Sequence, residues 1–367
     1  MEKFKIPDFY AEEYEDTREK ILKSTTPDSL NFLFMTDMHL DFPGMRDPVI
    51  RQCRTMVGLA KETRIDFILL GGDIIHGIID KDIYFGIFRE YAEIFGEAGV
   101  PVLPVRGNHD DNAYHNRNKP DSIPGFSWEH IPTDCIISAS EWSERVISPL
   151  AGEKAVKDPE KADSSYYYAD FPDKKTRVVV LDSYDYTVEE NERGYARYSA
   201  ETWDRLSDRQ MKWFAEVALD PKKDGWNFIV ATHNHLTMSG YTKPFRNSRD
   251  VCDALAAFNH REKYESERYG VNVDYSENTS RATLSIFGHT HRDLYDFDER
   301  TGLILLGSGN AKPQEYDCTD ALYKYDFARL ERKPLTASEA LFDCVISTPG
   351  GKYEKIRFGA GADRTFG

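Results

Sequence analysis

The chain has 367 residues, 40% of them hydrophobic and 30% charged, enough to fill the core of one large domain or two ordinary ones. Its 63 acidic against 47 basic residues leave a net charge of -16, which argues against an extended nucleic-acid surface and against an anchor on anionic membranes. An anionic small-molecule substrate stays open, because bound divalent metals reverse a local field.

Cys53, Cys135, Cys252, Cys318 and Cys344 are odd in number and scattered, with no CxxC pair. Neither a disulfide framework nor a cysteine zinc site is expected, and buried thiols in a reducing compartment are. Met1–Asp8 has no apolar h-region, and no stretch approaches the length of a membrane span, so a cytoplasmic location without membrane contact is expected.

In chain order, the charged segment Asp8–Lys23, with spaced Phe9, Tyr10, Tyr14, Ile21 and Leu22, reads as an N-terminal arm or surface helix over residues 1–30. Asn31–Met35 is a buried strand that ends in Thr36-Asp37-Met38-His39. Asp47 and Pro48 are a candidate N-cap and N1 pair for a helix to about Glu62. Phe67–Leu70 is a continuous apolar run, suited to a strand buried on both faces, closed by Gly71-Gly72-Asp73. An amphipathic helix over Asp82–Ala98 and a strand over Val100–Val105 follow, the strand closed by Arg106-Gly107-Asn108-His109-Asp110.

Between Asp111 and Ser165 the alternation fails, and isolated aromatics such as Tyr114, Phe126, Trp128 and Trp142 point to a folded cap. Strands resume at Tyr166–Phe171 and Arg177–Asp182, joined by a hairpin turn, and a helix is predicted over Ser199–Leu219. Trp226–Ala231 is a strand ending in Thr232-His233-Asn234-His235. A second excursion over 236–281 carries Lys243, Arg246 and Arg249, with a helix near Val251–Tyr264. Thr283–Phe287 ends in Gly288-His289-Thr290-His291, and β-hairpins are expected to follow, the last over 335–360. With no internal repeat and no linker, residues 31–367 read as one α/β domain with cap insertions near 111–165 and 236–281.

Each polar cluster alone is unremarkable, since a histidine at a strand end is more often structural than a ligand. Five of them in the order Asp37/His39, Asp73, Asn108/His109, His233, His289/His291 form a pattern, because each follows a buried strand and all can converge at one sheet edge. Imidazoles with carboxylates suit Mn, Fe, Zn, Ni or Co. Two such ions, divalent or trivalent and about 3.5–4 Å apart, can clamp a phosphoryl group and turn a bridging water into a hydroxide nucleophile. The middle aspartate, Asp73, is the natural bridge. His109 is a candidate leaving-group acid, with Asp110 placed to orient it.

These motifs, Asp-x-His, Gly-Asp, Gly-Asn-His-Asp, a lone strand-end His and Gly-His-x-His, resemble the calcineurin-like metallophosphoesterase superfamily over roughly Asn31–Asn310. The resemblance implies a four-layer α/β/β/α sandwich of two mixed sheets with a dinuclear metal site at the strand-end loops. It implies that Asp37, His39, Asp73 and His291 hold one metal, that Asp73, Asn108, His233 and His289 hold the other, and that His109 is the catalytic histidine. The protein-phosphatase branch has Gly-Asp-x-Val-Asp-Arg-Gly, whereas Asp73 here leads into Ile74-Ile75-His76-Gly77, so the aspartate that supports that branch's histidine is missing. Gly-Asn-His-Asp looks more like the phosphodiesterase and nucleotide-processing branches, and the tail Arg357–Arg364 resembles the end of many bacterial members.

The expected activity is therefore hydrolysis of a small phosphodiester or phosphomonoester, nucleotide-like compounds included. A non-catalytic binding or scaffold protein on the same fold is the alternative, its expected mark being a lost ligand or a lost His109. His115, His235 and Arg246 are candidate substrate contacts, and His76 is read as structural or exposed.

Overall fold

The computed structural model describes residues 5–118, 131–220, 222–237, 244–313, 330 and 332–367. Among them the first strands are β1 (Leu30–Met35), β2 (Phe67–Leu70), β3 (Val102–Pro104), β4 (Val156–Lys157), β5 (Tyr167–Phe171), β6 (Thr176–Val180) and β7 (Asn227–Ala231). They are followed by β8 (Lys263–Ser266), β9 (Val271–Asp274), β10 (Arg281–Phe287), β11 (Leu294–Asp298), β12 (Leu303–Gly307), β13 (Leu341–Thr348), β14 (Lys352–Gly359) and β15 (Arg364–Phe366). The α-helices are α1 (Ala11–Ser24), α2 (Arg46–Glu62), α3 (Lys81–Gly96), α4 (Ala139–Trp142), α5 (Ser148–Ala151), α6 (Asp208–Trp213) and α7 (Ser248–His260).

One sheet runs β15-β14-β13-β1-β2-β3 and the other β11-β12-β10-β7-β6-β5-β4, while β8 and β9 pair separately. In the first sheet β1, β2 and β3 are parallel, and in the second β6, β7, β10 and β12 are parallel. Successive strand residues point to opposite faces, and the second sheet divides its apolar residues accordingly. Val178, Val180, Ile229, Ala231, Ile286 and Leu306 join the core shared with the first sheet. Val179, Phe228, Val230, Ala282 and Leu305 form a second core with α6 and α7. Phe67 ties the sheets together, stacked 4.7 Å from Phe32 and 4.9 Å from Phe171. Helices α1, α2, α3 and α5 cover the first sheet, which completes an α/β/β/α sandwich.

Several boundaries differ from the sequence expectation. Helix α2 starts at Arg46, so Asp47 and Pro48 lie inside its first turn and no side chain caps it. The helix expected from Ser199 begins only at Asp208, where Ser207 accepts the Gln210 N–H. Its early aromatic Trp203 packs in a small separate cluster with Tyr184 and Tyr186. Helix α7 ends at His260, because Arg261 turns left-handed at φ 62°, and Tyr264 lies in the hairpin strand β8 instead.

Within the excursion 111–165, residues Ala139 to Ala151 are helical: α4, a π turn over Ser143–Ile147 and α5, started by a Ser138/Glu141 capping box. Ala139, Trp142, Val146, Leu150 and Ala151 are buried, with Trp142 5.8 Å from Phe88 of α3. This stretch belongs to the core; its serines and glutamates mask a helical apolar stripe. The C-terminal hairpin β13–β14 lies beside β1, and β15 extends the sheet past 360. Phe126, Trp128 and Lys243 fall outside the described residues.

Candidate metal centre

The motif residues sit on loops leaving the carboxyl ends of parallel strands: β1 for Asp37 and His39, β2 for Asp73, β3 for Asn108 and His109, β7 for His233, and β10 for His289 and His291. Strand pairing continues into these loops. Asp37 N–H donates to the Gly72 carbonyl at 3.0 Å, His39 N–H to the Asp73 carbonyl at 3.0 Å, and Gly288 N–H to the His233 carbonyl at 3.1 Å.

Asp37, His39, Asp73, His289 and His291 have φ of 54°, 44°, 51°, 63° and 55°. They are five of nine non-glycine residues in the left-handed region among the described residues. Each costs about 1–2 kcal/mol for an L-residue and persists only where the surroundings impose it. Close approach is also built into the glycines: a Cβ on Gly107 would overlap the Asp73 carboxylate, and one on Gly288 would overlap Thr36 beside Asp37.

The side chains gather into two donor groups that share Asp73. In each, one ligand atom per residue lies within 4.8 Å of the others: Asp37, His39, Asp73 and His291, and Asp73, His233 and His289. In the first, His291 Nε2 is 3.1 Å from Asp37 Oδ1 and 3.3 Å from His39 Nε2. In the second, His233 Nε2 is 3.2 Å from Asp73 Oδ2. Asn108 Oδ1 adds itself there, 3.0 Å from His289 Nδ1 and 3.2 Å from His233 Nε2. His233 Nδ1–H donates to the Gly71 carbonyl at 2.8 Å, which leaves Nε2 as its donor atom. His109 donates its backbone N–H to Asp73 Oδ1 at 2.9 Å and its Nδ1–H to the His76 carbonyl at 2.8 Å, with Nε2 4.0 Å from Asp73 Oδ2.

Asp37 and Asp73 are 0% and 1% exposed. Burial raises both carboxyls, but neighbouring histidines, His291 for Asp37 and His233 for Asp73, bring them below the usual range. Burial would lower His233, and Asp73 reverses this to about 9. Burial holds His39 well below its ordinary value, and burial with His233 takes His289 down to about 3. His39 and His289 are thus held neutral, the form in which an imidazole binds a cation, while His233 carries a proton shared with Asp73 that a bound cation would displace. The set fits a pair of borderline metals, since buried charges of one sign require compensation.

The remaining candidates fare differently. Asp110 does not orient His109. Its oxygens accept the N–H groups of Gly107 (2.8 Å), Asp73 (2.9 Å), Ile74 (2.9 Å) and Ile75 (3.2 Å), so it pins the Asp73 loop. His115 is turned to Asp80, 3.0 Å away. His235 is buried with its ring 5.8 Å from Phe287 of the helical core. Arg246 pairs with Asp204 at 2.5 Å and donates to the Thr202 carbonyl at 3.0 Å. These contacts engage His115, His235 and Arg246 with the protein's own residues. A 960 Å³ groove lined by Lys175, Trp226, Arg281 and Tyr295 opens at the amino ends of β6, β7 and β10, away from the motif loops.

Two features escaped the sequence reading. His76 stands in the site, its ring 4.7 Å from that of His109, which in turn stacks 4.2 Å from Tyr114. The tail motif also acquires a role. Buried Arg357 donates from Nη2 to Asp293 at 2.6 Å, from Nε to Asp343 at 2.6 Å and from Nη1 to the Ala360 carbonyl at 2.6 Å. Lys355 lies 3.2 Å from Asp293 and 3.7 Å from Asp343. Asp293 follows His291 by two positions, so this network braces the last motif loop from behind. Neither signal was visible locally, because each depends on contacts across the fold.

Solved structures similar to this fold include a dimetal phosphatase from Danio rerio, with TM-score 0.58 and 15% identity over 92% of this chain and 98% of that one. Another is GAP50, the anchor in the inner membrane complex of Plasmodium, with TM-score 0.46 and 13% identity over 92% of this chain and 88% of that one. No curated protein matches by sequence. The family model for calcineurin-like phosphoesterases matches residues 30–293, the span that carries every motif loop described above. The chain belongs to the calcineurin-like phosphoesterase family.

Proposed function

We propose that the protein is a dinuclear metal-dependent hydrolase of small phosphodiesters or phosphomonoesters. The observation that carries this reading is the pair of buried donor groups sharing Asp73, with His109 Nε2 4.0 Å from the same carboxylate. Asp37, His39, Asp73 and His291 would hold one ion, and Asp73, Asn108, His233 and His289 the other. When bound, the ions supply Lewis-acid charge to phosphoryl oxygens and lower the pKa of a water nucleophile.

The chain's own groups do the rest. Asp73 spans both donor groups and so fixes their separation. His109, its Nδ1 tied to the His76 carbonyl, presents Nε2 to pass a proton to the departing oxygen. Tyr114, stacked on His109, offers a flat face for a base or sugar. Diesters are favoured over monoesters by the Gly-Asn-His-Asp form of the third loop.

No helix among the described residues is long and apolar enough to cross a membrane. Cys53, Cys252 and Cys344 are buried free thiols, which supports a reducing, cytoplasmic setting. The test is to reconstitute the protein with Mn or Zn and screen phosphomonoesters, phosphodiesters, cyclic nucleotides and phospholipid headgroups. Hydrolysis that depends on added metal is expected. Saturating metal that neither binds nor supports turnover of any ester would refute the proposal.

A further inference from the structure

His76 lies three residues beyond Asp73, on the loop that Asp110 pins by its backbone N–H groups. Its own N–H is held by Asp41, which also accepts the Ile78 N–H at 3.1 Å. From this fixed backbone two contacts reach the site. The His76 carbonyl accepts His109 Nδ1–H at 2.8 Å, and His76 Nδ1 lies 3.2 Å from Nδ1 of His39.

The second contact has a definite polarity once the rest of His39 is considered. Its Nε2 faces the donor group, 3.3 Å from His291 Nε2 and 3.9 Å from Asp73 Oδ2. An imidazole that offers Nε2 to a cation carries its proton on Nδ1, and that proton points at His76. Metal-bound histidines almost always donate this second N–H to a carboxylate, a carbonyl or water, and such partners fix ring orientation and ligand basicity. His233 follows that rule with the Gly71 carbonyl. His39 has an imidazole in that place.

Resting on the metal-centre reading above, we propose that His76 is a positioning residue. Its ring accepts the His39 Nδ1–H and fixes His39 for coordination through Nε2, while its carbonyl accepts the His109 Nδ1–H and so turns His109 Nε2 to the site. One residue thus aligns a ligand of the first ion and the proton donor to the leaving group. The ring stack with His109 is separable from the hydrogen bond, which makes the assignment testable by substitution.

The experiment compares the parent, His76→Phe and His76→Asn in the full-length, metal-free protein. Each is titrated with Co²⁺ and followed by bound cobalt and by its visible absorption. Phenylalanine keeps a stacking ring but cannot accept, whereas the asparagine carbonyl can accept without a ring. The expectation is that the parent binds two Co²⁺ and that His76→Phe binds one of them 10–100-fold more weakly. His76→Asn should return to within a few-fold of the parent. All three should melt at the same temperature without metal.

A His76→Phe protein that binds both ions like the parent overturns this inference alone. So does a parent that binds three ions where His76→Phe binds two, because His39, His76 and His109, whose ligand atoms also lie within 4.8 Å of one another, would then themselves be holding a cation. A parent that binds no cobalt overturns the metal-centre reading and this inference with it. Should His76→Phe fail to fold, the ¹⁵N-histidine spectrum of the zinc-loaded parent decides. Proton on Nε2 of His76 and on Nδ1 of His39 supports the assignment, and the reverse tautomers overturn it.

Discussion

Replacing Arg357 by methionine keeps a long apolar stem and deletes the guanidinium that faces Asp293 and Asp343. In the parent a buried carboxylate, Asp343, and a part-buried one, Asp293, meet two buried cations, Arg357 and Lys355. Burial alone would raise the Asp293 carboxyl, and Arg357 and Lys355 hold it well below the usual range instead. Removing one partner of a buried ion pair costs about 3–5 kcal/mol, because the other charge is left uncompensated. Lys355 remains within 3.2 Å and 3.7 Å of the two carboxylates, which places the expected loss near the lower end, about 3 kcal/mol. Adding Asp343→Asn restores one carboxylate to one ammonium and keeps an acceptor for Ser308 Oγ, now 2.6 Å from Asp343. The double variant should therefore be at least about 1 kcal/mol more stable than Arg357→Met. Urea unfolding of the metal-free proteins, followed by tryptophan fluorescence and compared at equal slope, measures both numbers. A single variant within about 1 kcal/mol of the parent, or a double variant less stable than the single, would refute the argument.

Three further outcomes are expected. Asp73→Asn should lower metal content from about two per chain at both positions together, since one carboxylate serves both donor groups; elemental analysis showing full occupancy would remove its shared role. His109→Ala should keep its metal and lose roughly 10²–10⁴-fold in turnover on alkyl phosphodiesters, with a smaller loss on nitrophenyl esters; equal rates on an alkyl diester would take His109 out of the reaction. Asp170 is raised by burial but brought below its ordinary pKa by Arg177, at 2.7 Å and 3.0 Å, and by Lys223. A depressed folded pKa contributes stability above the unfolded value, about 3.9, and loses it as pH falls through the folded one. The stability gap between parent and Asp170→Asn should thus be full at pH 7 and narrow below about pH 4, and a pH-independent gap would contradict it.

The architecture was legible where the signal is local. Buried strands such as Asn31–Met35 and Phe67–Leu70 announce themselves by apolar runs, and the polar residues that end them need only convergence at one edge to make a site. What stayed hidden depends on contacts between distant segments. His76 has no repeating partner in the sequence, and only the fold brings its ring to His39. Asp110 adjoins His109, yet its carboxylate turns to the N–H groups of another loop. Arg246, read as a substrate contact, pairs at the surface with Asp204, 42 positions earlier. The core helix within 111–165 was obscured by polar composition, so a linker replacing that whole segment would remove Trp142 from the core along with any cap.

The left-handed backbone at Asp37, His39, Asp73, His289 and His291 sets stability and activity against each other at the same positions. Glycine adopts that conformation without the steric penalty an L-residue bears. At each of these five sites a mutation to glycine would relieve strain in the empty protein while deleting a donor. Where the side chain is part-exposed, as at His291, laboratory selection for heat resistance alone, in a chelating medium, would therefore drift toward variants that relieve this strain and hold ions less well. Selection with metal present reverses the preference, because an ion bound only by the folded chain stabilises it by mass action. The medium chosen for a stabilisation campaign would decide whether this centre survives it.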